Sequence, residues 1–193
     1  MHADTYEAAP RDSGSAAGNY WSQHNARWLT RPLCVRYVLA EFKTLRLPVR
    51  DGAEVREMSW RWALGLFKPG EYEVLGAWPA EAPSTAVAYD LHQRGVEHLT
   101  AISADTGMDC SSKFPDAVCW SSVSKPNSTS IPAAGSFGPR RRAALRSAAA
   151  TAQRLQVSIT RTIKRRGPFA DEAAAAAFLA QTLERADRRL YGT

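Results

Sequence analysis

Apolar residues fall on alternate positions from 37 to 49, where Tyr37, Leu39, Leu45, Leu47 and Val49 share one face with Glu41 and Lys43. A period of two predicts a strand, and Asp51-Gly52 supplies a hairpin turn after it. A second strand is predicted over 55–67, a turn at Lys68-Pro69-Gly70, and a third strand over 72–78. Proline then breaks the chain into a helix over 84–94, closed by Gly95. The run 97–103 is short, apolar and bounded by turn residues, the pattern of a buried parallel strand, and Asp105 lies just past its carboxyl end. A further strand is predicted over 117–123, followed by a Pro/Ser/Gly linker at 124–139. Beyond it the period becomes three to four. Leu145, Ala148, Ala149, Ala152, Leu155, Ile159 and Ile163 form one apolar stripe of a helix over 140–166 that Gly167-Pro168 stops. A last helix runs from Asp171, its N-cap, to Leu190, with Phe178, Leu179, Leu183, Ala186 and Leu190 inward. Residues 1–30 show no period and read as a loose arm, with Trp21 and Trp28 marking an end that packs on something.

The order predicts an α/β fold: an RNase H-like mixed sheet, a three-stranded antiparallel meander plus parallel strands, with flanking helices and two C-terminal helices. A chain of 193 residues, 45% hydrophobic and 23% charged, suits one domain of this kind, at 31–193. Three cysteines (Cys34, Cys110, Cys119) without CxxC spacing fit a reducing cytoplasm rather than a disulfide framework. Four histidines without paired spacing give no zinc site. No apolar run reaches the roughly 20 residues of a membrane span, and the N-terminus has no secretory pattern. The formal net charge of +6 points to a polyanionic partner, but only where the cations cluster.

They cluster in one place. Arg140, Arg141, Arg142, Arg146, Arg154, Arg161, Lys164, Arg165 and Arg166 lie in a stretch, 140–170, that contains no Asp or Glu. Such a helix neutralises several phosphates, which predicts salt-dependent nucleic-acid binding and says nothing of base readout. Trp60, Trp62, Trp78 and Trp120 are read as strand and core residues rather than base-stacking platforms. RNase H-like nucleases and transposases use two magnesium ions about 3.5–4 Å apart, held by carboxylates from the first strand, the end of the fourth and a late helix. Asp105 stands at the second place, where it is equally a turn aspartate. The first place carries Lys43, with Glu41 two residues earlier as an ordinary Glu–Lys strand pair, and the late helix has no acid.

Four blocks carry a family likeness: RPL with YVLAEFKTLRLPVRDG, WALGLFKPGEYEVLGAW, DLHQRGVEHLTAISAD, and RRRAALRSAAATAQRLQVSITRTIKRRGPFADEAA. Together they resemble the catalytic domain of Mutator-type bacterial insertion-sequence transposases over 31–190. The resemblance implies a magnesium-dependent DDE strand-transfer site. It places the family's second Asp on Asp105, its first on Lys43, its Glu on Gln153 and the following Asn on Gln156. The family's Cys-x-x-His falls near Ser122 and Lys125, so that motif is missing, and the linker at 124–139 stands in place of a long helical insertion. The first 30 residues are too short for the family's separate DNA-binding region.

The expectation is a degenerate, shortened pseudoenzyme of this family. It would bind DNA, whether transposon ends or non-specific duplex, pair with an intact transposase or with itself, and sit in the cytoplasm on the nucleoid, with no membrane partner. No cofactor is expected. Magnesium enters only through a second reading, an active nuclease or transposase with a site rebuilt from Asp105, Glu41 and Asp109. A third reading is a non-enzymatic interaction module in which the apolar stripe of 140–166 docks a partner protein.

Overall fold

The computed structural model describes residues 27–105, 107–121 and 137–191. Most of the expected arm (1–26), the greater part of the linker (124–136), Trp21, Ser122 and Lys125 lie outside the described residues. The elements are β1 (Arg36–Tyr37), β2 (Leu39–Asp51), β3 (Glu54–Lys68), β4 (Glu71–Pro79), α1 (Ser84–Gln93), β5 (His98–Leu99), β6 (Ala101–Ala104), β7 (Val118–Ser121), α2 (Pro139–Arg166) and α3 (Glu172–Tyr191).

The meander forms as the alternation demands. β2 and β3 pair antiparallel over their whole length, from Leu39↔Leu66 to Asp51↔Glu54, and β3 pairs antiparallel with β4. Gly52 and Gly70 turn the two hairpins at φ +62° and +84°, values that cost a glycine nothing. β6 then pairs parallel with β2, and β7 parallel with β6, giving a five-stranded mixed sheet in the order β4-β3-β2-β6-β7. The run 97–103 is not one strand. It divides at Thr100, with His98–Leu99 pairing with β1 and Ala101–Ala104 with β2. An apolar run reports burial, not which neighbour each half meets, so the division left no mark on the sequence.

Two cores flank the sheet. On one face Phe42, Ala63, Leu75, Trp78 and Ile102 pack under α1 through Val87, Ala88 and Leu91. On the other, Leu39, Leu45, Leu47, Val49, Trp60, Trp62 and Leu64 meet α2 and α3. The apolar stripe of α2 is spent here: Leu145, Ala148, Ala152, Ile159 and Ile163 are buried against the chain's own sheet. Asp171 caps α3 through its Oδ1, which accepts the Ala174 N–H at 2.7 Å.

The arm's end packs as Trp28 suggested. Trp28 Nε1 and Arg31 Nη2 both donate to Asp187 Oδ2 on α3, at 3.2 and 2.9 Å, and Leu29 is buried. Asp187 also reaches β4. β4 is the edge strand of the sheet, and Asp187 Oδ1 accepts the Val74 N–H there at 2.6 Å. Burial raises the Asp187 carboxyl above the usual range, while the Val74 N–H and Arg31 pull it back.

Candidate nucleic-acid interface

β2 outruns its parallel neighbour. The β2–β6 ladder ends at Phe42↔Ala104, with Asp105 N–H donating to Phe42 O at 3.3 Å. The next residue on that edge, Thr44, is met by side chains. Asp105 Oδ2 accepts the Thr44 N–H at 2.6 Å, and Asp105 Oδ1 accepts the Thr44 hydroxyl at 2.9 Å. From α2, Gln156 Nε2 donates to Thr44 O at 2.6 Å, while its Oε1 accepts Trp62 Nε1 at 2.7 Å. Further along, Phe169 N–H donates to Pro48 O and Arg50 N–H to Phe169 O, both at 2.9 Å. Asp105 and Gln156 thus occupy positions that an adjoining strand's main chain would fill, which satisfies groups that would otherwise be costly to leave unmade.

Two chain positions singled out in the sequence, Asp105 and Gln156, therefore meet at Thr44, next to Lys43 on β2. The helix residue that reaches β2 is Gln156. Gln153 is exposed on the outer side of α2. The stripe could have shown this: position 156 lies one residue from Leu155 and three from Ile159, at the stripe's edge, whereas 153 turns away from it.

Lys43 and Glu41 sit on the face of β2 under α2. Lys43 Nζ lies 2.9 Å from Glu41 Oε1, and the Glu41 side chain is 1% exposed, so the Glu–Lys strand pair is a buried one. Asp109 is apart from both, exposed in a loop, where a hydrogen bond from Ser111 lowers its carboxyl below the usual range. Among the described residues no three His, Cys, Asp or Glu side chains gather around one point. The residues present do not fit a two-magnesium site. Of the three positions expected for acids, one carries an ammonium, Lys43, another an exposed neutral amide, Gln153, and at the third both oxygens of Asp105 already accept hydrogen bonds.

The cations lie elsewhere on α2. Arg140, Arg141, Arg146, Arg154, Arg161, Lys164, Arg165 and Arg166 are exposed and Arg142 is half-buried. Arg140, Arg141 and Arg142 occupy the first turn, which contains no acid and has no side-chain cap, so they face the positive end of the helix dipole. Arg154, Arg161 and Arg165 share one side and line a shallow hollow of about 490 Å³ with Gln153, Val157, Ser158 and Thr162. Arg154 is steadied by Thr151, whose hydroxyl accepts from its Nη2 at 2.9 Å.

Of the four tryptophans beyond residue 30, Trp60 and Trp62 are fully buried, Trp78 is 7% exposed, and Trp120 is half-buried against Phe137. No helix among the described residues is long and apolar enough to cross a membrane. Compared with known proteins, the chain matches no protein-family model and no curated sequence.

Proposed function

We propose that the chain is a degenerate, RNase H-like relative of Mutator-type DNA transposases that binds DNA and lacks strand-transfer activity. The observation that carries the reading is the convergence at Thr44. Strand order β4-β3-β2-β6-β7 brings the end of β6 and the middle of α2 to one point of β2, where Asp105, at the resemblance's second acid, and Gln156, at its Asn, meet beside Lys43, while Gln153, at its Glu, faces outward. Only Asp105 there is an acid, and it closes a strand edge. The acid-free basic surface of α2 supports the DNA-binding half of the proposal, because exposed cations without neighbouring carboxylates neutralise phosphates and release counterions. The interaction-module reading loses its proposed surface, since the apolar stripe is inside the fold.

The test is fluorescence anisotropy on labelled duplex DNA across a range of salt, with and without magnesium, alongside a strand-cleavage assay. Binding should be steep in salt, indifferent to magnesium and weakened in the Arg154→Ala/Arg161→Ala/Arg165→Ala variant, with no cleavage. Magnesium-dependent cleavage abolished by Asp105→Ala would overturn the loss of activity, and no binding at low salt would overturn the DNA partner.

A further inference from the structure

The hollow on α2 continues into a second one. The crevice between α2 and α3, about 130 Å³, is lined by Leu155, Ser158, Ile159 and Thr162 from α2 and by Thr182, Arg185, Ala186 and Arg189 from α3. Ser158 and Thr162 line both hollows, so the two adjoin along α2 and make a groove of two parts. The helices meet sparingly along it, which is what leaves it open. Five arginines from two elements line it: Arg154, Arg161 and Arg165 on one helix, Arg185 and Arg189 on the other. All five are exposed, no acid lines the groove, and no ion pair among the described residues engages any of the five. The neighbouring acids of α3 are committed elsewhere, Glu184 to Arg188 and Asp187 to Arg31.

Arg161 and Arg165, like Arg185 and Arg189, stand four residues apart, about 6 Å along the helix axis. Like charges at that spacing repel and destabilise a helix, so each pair is a cost in the free chain that an anion removes. Two such pairs facing one trough suit a linear polyanion running between them rather than a single bound anion. Hollows of about 490 and 130 Å³ have room for the phosphates of one strand but not for the body of a duplex.

We infer that the groove between α2 and α3 seats a single phosphodiester backbone, with Arg185 and Arg189 of the last helix sharing the phosphates with Arg154, Arg161 and Arg165. This rests on the nucleic-acid reading above and adds the second wall and the one-strand geometry. Recognition is of backbone charge, and the backbone belongs either to a single strand or to one strand at the edge of a duplex.

The experiment measures affinity against salt by anisotropy for a labelled oligothymidylate and a duplex of matched length. The variants are Arg185→Ala/Arg189→Ala, the charge-preserving Arg185→Lys/Arg189→Lys, and Arg36→Ala/Arg46→Ala, which removes two exposed arginines away from the groove. Five phosphate contacts give a slope of log affinity on log salt of about −3.5 for a single strand. Arg185→Ala/Arg189→Ala should make it shallower by about 1.4, the lysine pair should restore it, and the remote pair should leave it unchanged. The probe whose slope responds to the α3 variant identifies the source of the backbone. If Arg185→Ala/Arg189→Ala binds both probes as the parent does while Arg154→Ala/Arg161→Ala/Arg165→Ala does not, DNA lies on α2 alone and the groove inference falls with the DNA reading intact. If the parent binds neither probe, both fall.

Discussion

Replacing Asp105 by alanine separates a carboxylate that closes a strand from one that awaits a metal. In the folded chain Asp105 accepts two hydrogen bonds from Thr44, one from the main-chain N–H at 2.6 Å and one from the hydroxyl at 2.9 Å. Hydrogen bonds to a charged partner contribute about 1.5–3 kcal/mol each when fully buried. Asp105 is half-buried, and water entering the gap recovers part of that, so the expected loss is about 2–3 kcal/mol for the pair. Thr44→Ala removes only the hydroxyl bond and should cost about 1 kcal/mol. The two changes should be non-additive by a similar amount, because both delete the same contact. Urea denaturation of the parent, both single variants and the double variant completes the cycle, and magnesium is then added to each. A carboxylate held for a metal behaves oppositely. Its removal leaves stability unchanged or raises it, and magnesium stabilises the parent but not the variant through mass action on the native state. Either result would refute the structural role assigned to Asp105.

Two further perturbations bear on the same account. Lys43→Met should cost about 3–5 kcal/mol by stranding the Glu41 carboxylate, whereas the paired Glu41→Leu/Lys43→Met change should come back to the parent's stability or above it. Thermal denaturation reads both, and a single variant as stable as the parent would show that the pair is not a buried ion pair. Asp187→Ala should cost roughly 2–4 kcal/mol, because it orphans the Val74 N–H while Arg31 keeps Glu73 and the Val74 carbonyl. The same change should expose Arg31 to trypsin, and unchanged cleavage would mean that Asp187 does not hold the 27–33 segment.

Much of the fold was readable because each strand of the meander carries its own period and its own turn glycine. The strand division at Thr100 was not, since it depends on partners brought in from 36–42. The candidate site was partly readable. Asp105, Lys43 and the basic helix lie where the residues indicated, but Gln153, expected at the site, faces outward while Gln156 reaches β2, and the second wall of the groove went unseen. In the sequence Glu184, Arg185, Asp187, Arg188 and Arg189 intersperse two acids among three arginines. Folding separates them. Asp187 turns inward on the apolar stripe between Leu183 and Leu190, and Glu184 takes Arg188, leaving Arg185 and Arg189 without an acid. Charge mixing along a chain does not survive a helix that buries one of its carboxylates.

The outer edge of β2 beyond Phe42 has a consequence for the protein at high concentration. A long strand with a vacant side is a template on which a second molecule can lay its own strand, the first step toward oligomers and fibres. Here every second residue along that side is blocked in its own way: Thr44 by Asp105 and Gln156, Arg46 by an exposed charge, Pro48 by lacking an N–H, and Arg50 by Phe169. Asp105 and Gln156 thereby help keep the molecule from self-propagating aggregation, a role that requires no chemistry of either residue.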